Sequence, residues 1–131
     1  KKLRDMLINN LLKIPDVKLN GPLNNRLCNN INISIKGIDG ETLLSYLENE
    51  GIYCSAGSAC MSNASKKSHV LKAIGLNNKE IESSLRISLS RYNTEKEIDF
   101  VIGKMREIIK KLRNNLFKNK RKGALIPSNI I

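Results

Sequence analysis

The sequence predicts an α+β domain in which a small, mostly antiparallel sheet is packed with helices. Three short segments alternate apolar and polar residues with the period of a strand, and segments with apolar residues at helical spacing lie between them. Short turns join these segments, as in an α+β domain. The chain has 131 residues, of which 40% are hydrophobic, with three Tyr, two Phe and no Trp. This predicts one domain with an aliphatic core.

The first elements are a helix and two strands. The helix is predicted over residues 1–13, where apolar residues recur at helical spacing until Pro15 stops the pattern. A short strand follows at residues 17–19 and ends in the turn signal Asn20-Gly21-Pro22. The next strand is predicted where three isoleucines alternate with polar residues, at Ile31, Ile33 and Ile35.

The middle of the chain contains a second helix and a loop. Asp39-Gly40 turns the chain into a leucine-containing helix, and Gly51 stands at the expected C-terminal position. Extended structure is predicted to resume at residues 52–54. Residues 55–68 are small or polar apart from Met61 and fit neither period, so they are predicted to form a loop.

Two short helices are predicted after this loop. Ser68 can cap a helix that runs through Ile74, with Gly75 behind it. Asn77 with Glu80 forms a capping-box pattern for the next helix.

The last third of the chain predicts a strand and a long helix. The strand is centred on Arg86, with apolar residues on either side of it. Thr94 with Glu97 is a second capping-box pattern, and a continuous apolar stripe follows it. We predict that the domain spans residues 1–116 and that residues 117–131 form a basic, disordered tail.

Basic residues concentrate near the end of the chain. The formal net charge is +11, and from Lys110 onward there are seven basic residues and no acidic one. This charge suits the C-terminal end of a helix dipole or an anionic partner. The segment lacks the repeated aromatic residues that stack on bases, so no direct nucleic-acid binding is expected. No apolar run approaches the roughly 18 residues of a membrane span, and no membrane partner is expected.

The three cysteines, Cys28, Cys54 and Cys60, predict neither a disulfide framework nor a metal site. An odd number of cysteines cannot pair completely, and no CxxC motif is present. A reducing, cytoplasmic compartment fits best. Because the chain opens without Met, we expect it to be a fragment of a longer protein.

Cys60 is the candidate nucleophile. It lies in the predicted loop among small residues, and Lys66 and His69 follow it. The thiolate is the reactive form of cysteine, and positive charge near an accessible thiol lowers its pKa. The alternative interpretation is a free surface cysteine without a function. Cys54 and Cys28 are interpreted as core or incidental residues.

Arg86 is the candidate anion-binding residue. It alternates with Leu85 and Ile87, so its side chain is predicted to point away from the apolar face of the strand. A guanidinium fixed on a strand can bind a carboxylate through two parallel hydrogen bonds. The alternative is a solvated surface arginine. His69, the single histidine, has no carboxylate or nucleophile at a fixed spacing and is not predicted to be catalytic.

Four segments occur together in a specific order and spacing. They are Ser55-Ala-Gly-Ser-Ala-Cys60, Ser68-His-Val-Leu-Lys-Ala-Ile-Gly75, Leu85-Arg-Ile-Ser-Leu-Ser-Arg91 and Thr94-Glu-Lys-Glu-Ile-Asp99. Together they resemble the C-terminal part of the NifS/IscS-type cysteine desulfurases of the class V aminotransferase family. The similarity extends from about Lys1 to Leu116.

The resemblance implies the C-terminal small domain of a fold-type I transferase that depends on pyridoxal 5'-phosphate (PLP). In the complete enzyme of this family, L-cysteine is converted to L-alanine. The resemblance implies that Cys60 holds the released sulfur as a persulfide and that Arg86 binds the substrate carboxylate. It also implies a homodimer that passes sulfur to an iron–sulfur scaffold protein or a tRNA-thiolation acceptor.

No segment of the chain resembles the Ser-x-His-Lys sequence that supplies the cofactor lysine of the family. No cofactor-binding residue is therefore assigned, PLP is expected to bind a large domain outside this chain, and the chain is expected to be inactive alone. Two other interpretations are a stand-alone, non-catalytic sulfur-carrier or partner-binding module and a basic nucleic-acid module.

Overall fold

The computed structural model describes residues 1–21, 29–56 and 75–125, with side chains up to Asn119. Cys28, Cys60, His69 and the helix predicted from Ser68 lie outside these residues. The elements are α1 (Lys2–Leu11), β1 (Val17–Leu19), β2 (Asn30–Ile35), α2 (Gly40–Asn49), β3 (Ser55–Ala56), α3 (Asn78–Glu82), β4 (Ser84–Ser88) and α4 (Glu95–Leu125).

The strands form one sheet of four in the order β1-β2-β4-β3. Each neighbouring pair is antiparallel. In the central pair, Ile31 lies opposite Ile87 and Ile33 lies opposite Leu85. The predicted α+β class with a small antiparallel sheet is confirmed.

One aliphatic layer holds the helices on the sheet. α1 and α2 contact the sheet, and α4 packs against both helices. Burying one such side chain completely stabilises the fold by about 1.5–3 kcal/mol. The alternating pattern of the strands places every second side chain in this layer and so provides that stabilisation. Its fully buried members include Leu7, Leu11, Ile31, Ile33, Ile35, Leu43, Leu47, Leu85, Met105 and Ile109.

Side-chain caps determine where two helices begin. At the start of α2, the Asp39 carboxylate accepts a hydrogen bond from the backbone N–H of Thr42 at 3.0 Å. At the start of α4, Thr94 N–H donates to Glu97 Oε2 at 3.1 Å and Glu97 N–H donates to Thr94 Oγ1 at 3.2 Å. This reciprocal pair is the capping box that the sequence predicts.

The second predicted capping box links Asn77 and Glu80. Asn77 Oδ1 accepts a hydrogen bond from Glu80 N–H at 2.8 Å, as expected at the start of α3. A backbone hydrogen bond from Asn77 is among the causes that lower the pKa of the Glu80 carboxyl, and the same carboxylate binds Lys18 Nζ on β1 at 2.9 Å. α3 is therefore tied to the edge strand β1.

The first two residues of the segment predicted to be a loop belong to a strand, and the rest of that segment lies outside the described residues. Ser55 and Ala56 form β3, and Ala56 is buried opposite Leu85. Residues 52–54, which were predicted to be extended, belong to no strand. A strand of two residues is too short to produce a periodic pattern, which explains why the sequence did not indicate it.

α4 is longer than the sequence predicts. It continues through Leu125, so residues 117–125 are helical and do not belong to a disordered tail. Residues 113–122 contain no Gly or Pro and are rich in Lys and Arg, which favour a helix. The domain boundary at Leu116 remains a prediction. In the described part of the chain, neither α4 nor another helix is long and apolar enough to cross a membrane.

Gly40, the first residue of α2, generates a prediction about stability. A Cβ atom at this position would lie 2.5 Å from the Ser84 carbonyl oxygen and 3.1 Å from that of Glu82. We expect Gly40→Ala to lower the free energy of unfolding by about 1–3 kcal/mol, because backbone must move to accept the methyl group. Denaturant-induced unfolding followed by circular dichroism measures this change.

Gly103→Ala is the matched control. Gly103 lies inside α4, and a Cβ there meets nothing within 4 Å. The substitution should raise the free energy of unfolding by up to about 1 kcal/mol, because alanine is the better helix former. Equal stability of Gly40→Ala and wild type would contradict the close approach at Gly40.

Candidate functional site

A row of polar residues crosses the face of the sheet opposite the aliphatic layer. Asn32 on β2 lies opposite Arg86 on β4, and Arg86 lies opposite Ser55 on β3. Asn20 continues the row beyond β1, since its N–H donates to the Asn32 carbonyl at 2.8 Å. Because side chains alternate between faces, these residues share one face. We call Asn20, Asn32, Arg86 and Ser55 the polar row.

Arg86 is the cation of the polar row. Its side chain is half-buried, and its neighbours Leu85 and Ile87 are buried in the core. Within residues 1–21, 29–56 and 75–125, its guanidinium has no hydrogen bond or ion pair. The structure thus places Arg86 on the predicted face, where its N–H groups can bind a carboxylate in parallel.

A hydrogen-bonded network supports the polar row from one side. Asn20 Nδ2 donates to Asn32 Oδ1 and to Ser34 Oγ, each at 2.9 Å. Ser34 Oγ in turn donates to the carbonyl of Glu80 in α3 at 2.9 Å. The network joins β1, β2 and α3 and holds the Asn32 side chain in one orientation.

Sequence reasoning missed this network. Asn20 was assigned only to a turn, and Asn32 and Ser34 were assigned only to the polar side of a strand. The available signal was that Asn32 and Ser34 alternate with the buried isoleucines of β2. They therefore lie on the face of the sheet that carries Arg86 on the neighbouring strand β4.

The same face carries an unpaired acceptor. Asn30, two residues before Asn32 on β2, lies opposite Ser88. Its Oδ1 atom is buried and has no hydrogen-bond partner in the described part of the chain. A buried polar atom in this state calls for a ligand, a water molecule or another part of the protein. Among the described residues, no three His, Cys, Asp or Glu side chains form a cluster that could hold a metal ion.

An ion pair holds the carboxylate of Glu80, the α3 residue whose carbonyl accepts from Ser34. Lys18 Nζ lies 2.9 Å from Glu80 Oε2. The hydrogen bond from Lys18 is the main reason that the pKa of Glu80 is below its usual value. Glu80 therefore stays ionised at neutral pH and stays with Lys18.

Cys54 is the cysteine that the structure describes. It lies just before β3 and is half-buried. Burial, with a smaller effect of the negative charge of Glu48, raises the pKa of the Cys54 thiol to about 11. The thiol is therefore protonated and unreactive at neutral pH, in agreement with its interpretation as a core or incidental residue. The roles of Cys60 and Cys28 remain predictions.

Comparison with known proteins relates this arrangement to a family. The chain matches the family Aminotransferase class-V over residues 1–101. It is 50% identical over 113 residues to cysteine desulfurase IscS of Methanosarcina thermophila, covering 86% of this chain and 28% of that protein. It is 48% identical over 126 residues to a cysteine desulfurase of Nostoc sp., covering 95% of this chain and 32% of that protein. The chain thus spans about a third or less of these relatives.

Solved structures show the same relationship at the level of the fold. A NifS-like protein superposes with a TM-score of 0.71 at 34% identity, covering 83% of this chain and 27% of its own. A NifS-like protein from Rickettsia africae superposes with a TM-score of 0.70 at 34% identity, covering 82% and 27%. Since sequence and fold agree over most of its length, the chain belongs to the class-V aminotransferase family, within which it is similar to the NifS/IscS-type cysteine desulfurases.

Proposed function

We propose that this chain acts as part of a cysteine desulfurase, in which it supplies the substrate carboxylate site and the cysteine that carries sulfur. The observation that carries the proposal is Arg86, fixed on the polar face in a chain about 50% identical to cysteine desulfurases. In the complete protein the reaction converts L-cysteine to L-alanine. A sulfur carrier without catalysis needs a thiol but has no need of a carboxylate site.

Arg86 binds and orients the substrate in this proposal. Its guanidinium receives the carboxylate of L-cysteine, and the buried neighbours of Arg86 keep the contact in one place. Holding a reactant in one orientation lowers the entropic cost of the chemical step. No hydrogen bond or ion pair with another described residue occupies the guanidinium, which leaves it to the substrate in this proposal.

PLP, when bound, supplies the electron sink that makes cleavage of the substrate C–S bond possible. Lys18, on the polar face, is held by Glu80 and does not offer the unpaired amine that a covalent bond to the cofactor requires. We therefore assign cofactor binding to the rest of the protein and propose that the chain alone is inactive.

Cys60 accepts the sulfur in this proposal. Its thiolate attacks the sulfur of the substrate, so that the S–S bond of a persulfide forms as the C–S bond of cysteine breaks. The electron pair left on the substrate carbon takes a proton, which yields alanine. We propose that the persulfide then passes to an iron–sulfur scaffold protein or a tRNA-thiolation acceptor, and that the complete enzyme is a cytoplasmic homodimer.

Replacement of Arg86 tests the carboxylate site. In the complete enzyme we expect Arg86→Gln to raise KM for L-cysteine by about 10- to 100-fold, because a charge-assisted hydrogen bond contributes about 1.5–3 kcal/mol. Steady-state assays of alanine formation measure KM. Arg106→Gln, an exposed arginine on α4, is the control and should leave KM unchanged. An unaltered KM in Arg86→Gln would make Arg86 a surface residue only.

Replacement of Cys60 tests the sulfur carrier. Cys60→Ser should abolish sulfur transfer to an acceptor, since a hydroxyl cannot form a persulfide, while L-cysteine still changes the absorbance of the bound cofactor. Cys54→Ser is the control and should retain transfer. Transfer of sulfur by Cys60→Ser at the wild-type rate would refute the role of Cys60.

The raised pKa of Cys54 predicts how its alkylation depends on pH. With a pKa of about 11, only about 0.1% of the thiol is ionised at pH 8, and each unit of pH below 11 lowers the thiolate about tenfold. Native protein should therefore react with iodoacetamide at Cys54 far more slowly than denatured protein, and the rate should climb until about pH 11. Peptide mass spectrometry over time measures both rates; equal rates at pH 8 would contradict the raised pKa.

A further inference from the structure

We infer that Asn32 is a second carboxylate-binding residue, whose side-chain N–H donates a hydrogen bond to the substrate carboxylate beside Arg86. The inference rests on the proposed function and adds a specific contact to it. It follows from the direction of the hydrogen bonds beneath the polar row and from the register of β2 and β4.

The direction of the network is set at Glu80. A backbone carbonyl can only accept a hydrogen bond, so the Ser34 hydroxyl must donate its single proton to the Glu80 carbonyl. Ser34 Oγ therefore accepts from Asn20, and the group of Asn20 that faces it must be the NH₂. The other proton of this NH₂ points at Asn32, whose contacting atom must then be the oxygen.

This chain of donors determines the orientation of the Asn32 amide. Its Oδ1 atom faces Asn20 on the β1 side, and because the amide is planar, Nδ2 lies on the opposite branch, away from β1. On that side Arg86 lies directly across the strand pair, at the separation of about 4.5–5.5 Å that is usual for such neighbours. Nδ2 of Asn32 donates no hydrogen bond to any residue that the structure describes.

The orientation of the Asn32 amide also keeps its Oδ1 atom from accepting a hydrogen bond from Arg86. If the amide were reversed, Oδ1 would face the guanidinium and accept its hydrogen bonds. With the observed orientation, two groups of donors stand side by side, one charged and one neutral. A carboxylate has acceptor sites for a bidentate arginine and a further donor. The neutral donor adds a hydrogen bond without the repulsion that a second cation would create beside Arg86.

The test uses the complete enzyme with PLP and compares two ligands. L-cysteine carries the carboxylate, and cysteamine is the same molecule without it. Asn32→Leu removes the donor with little change of size, and Asn32→Ala removes it by truncation; neither variant introduces a charge opposite Arg86. We measure KM and kcat for L-cysteine and the inhibition constant of cysteamine.

We expect both variants to raise KM for L-cysteine by about tenfold or more, with the cysteamine constant within twofold of wild type and kcat little changed. Ser88→Ala, which removes an exposed hydroxyl two residues from Arg86 on the same face, should leave all three constants unchanged. If Asn32→Leu does not fold, Asn32→Ala decides, because the smaller side chain brings neither a clash nor a charge to the face that carries Arg86.

Two outcomes overturn the inference. One is an unchanged KM in both variants, and the other is an equal rise of KM and of the cysteamine constant, which indicates a purely structural role. The proposed function is judged separately, from alanine formation by wild type and from the KM of Arg86→Gln. If Arg86→Gln raises KM and the Asn32 variants do not, the desulfurase proposal stands and the inference fails; if wild type forms no alanine, both fail.

Discussion

The antiparallel pairing of β2 with β4 is the constraint on which the rest of the structure depends. Its register places the isoleucines of β2 against Leu85 and Ile87 on one face and Asn32 against Arg86 on the other. Because side chains alternate with a period of two, a shift of one residue would move the polar side chains into the core. The hydrophobic layer that holds α1 and α2 on the sheet therefore also fixes the position of the candidate site.

The polar face is divided by α3 into a covered end and an open end. At the covered end, Ser34 is buried and donates to the Glu80 carbonyl. At the open end, Asn32 and Arg86 remain half-buried. The hydrogen-bonded network begins at the Glu80 carbonyl under α3 and ends at Asn32. The Glu80 carbonyl thereby determines that Nδ2 of Asn32, and not Oδ1, faces the open end.

The sequence predicts the elements well where one face of each is buried. Alternation located β1, β2 and β4, and the capping box at Thr94 located the start of α4, because burial and capping leave local patterns. It missed β3, whose two residues are set by pairing with β4, and the true length of α4. The face of the sheet on which Arg86 lies could be predicted because alternation determines it. The hydrogen bonds of Asn20 could not be predicted in this way, since they depend on the contact between β1 and β2.

The charges near the candidate site explain how one arginine can serve a small anion. Asp or Glu beside Arg86 would bind it and compete with a substrate carboxylate. The carboxylate of Glu80, at the end of the polar face that α3 covers, is held by Lys18. Its lowered pKa keeps it ionised at neutral pH, so the pair persists there and loosens only as the pH falls through that lowered value. Apart from Arg86, the members of the polar row are neutral. Contact with water weakens the ion pair between a half-buried arginine and a carboxylate. Neutral hydrogen-bond donors in fixed positions beside the arginine therefore increase selectivity for a carboxylate without adding a second charge.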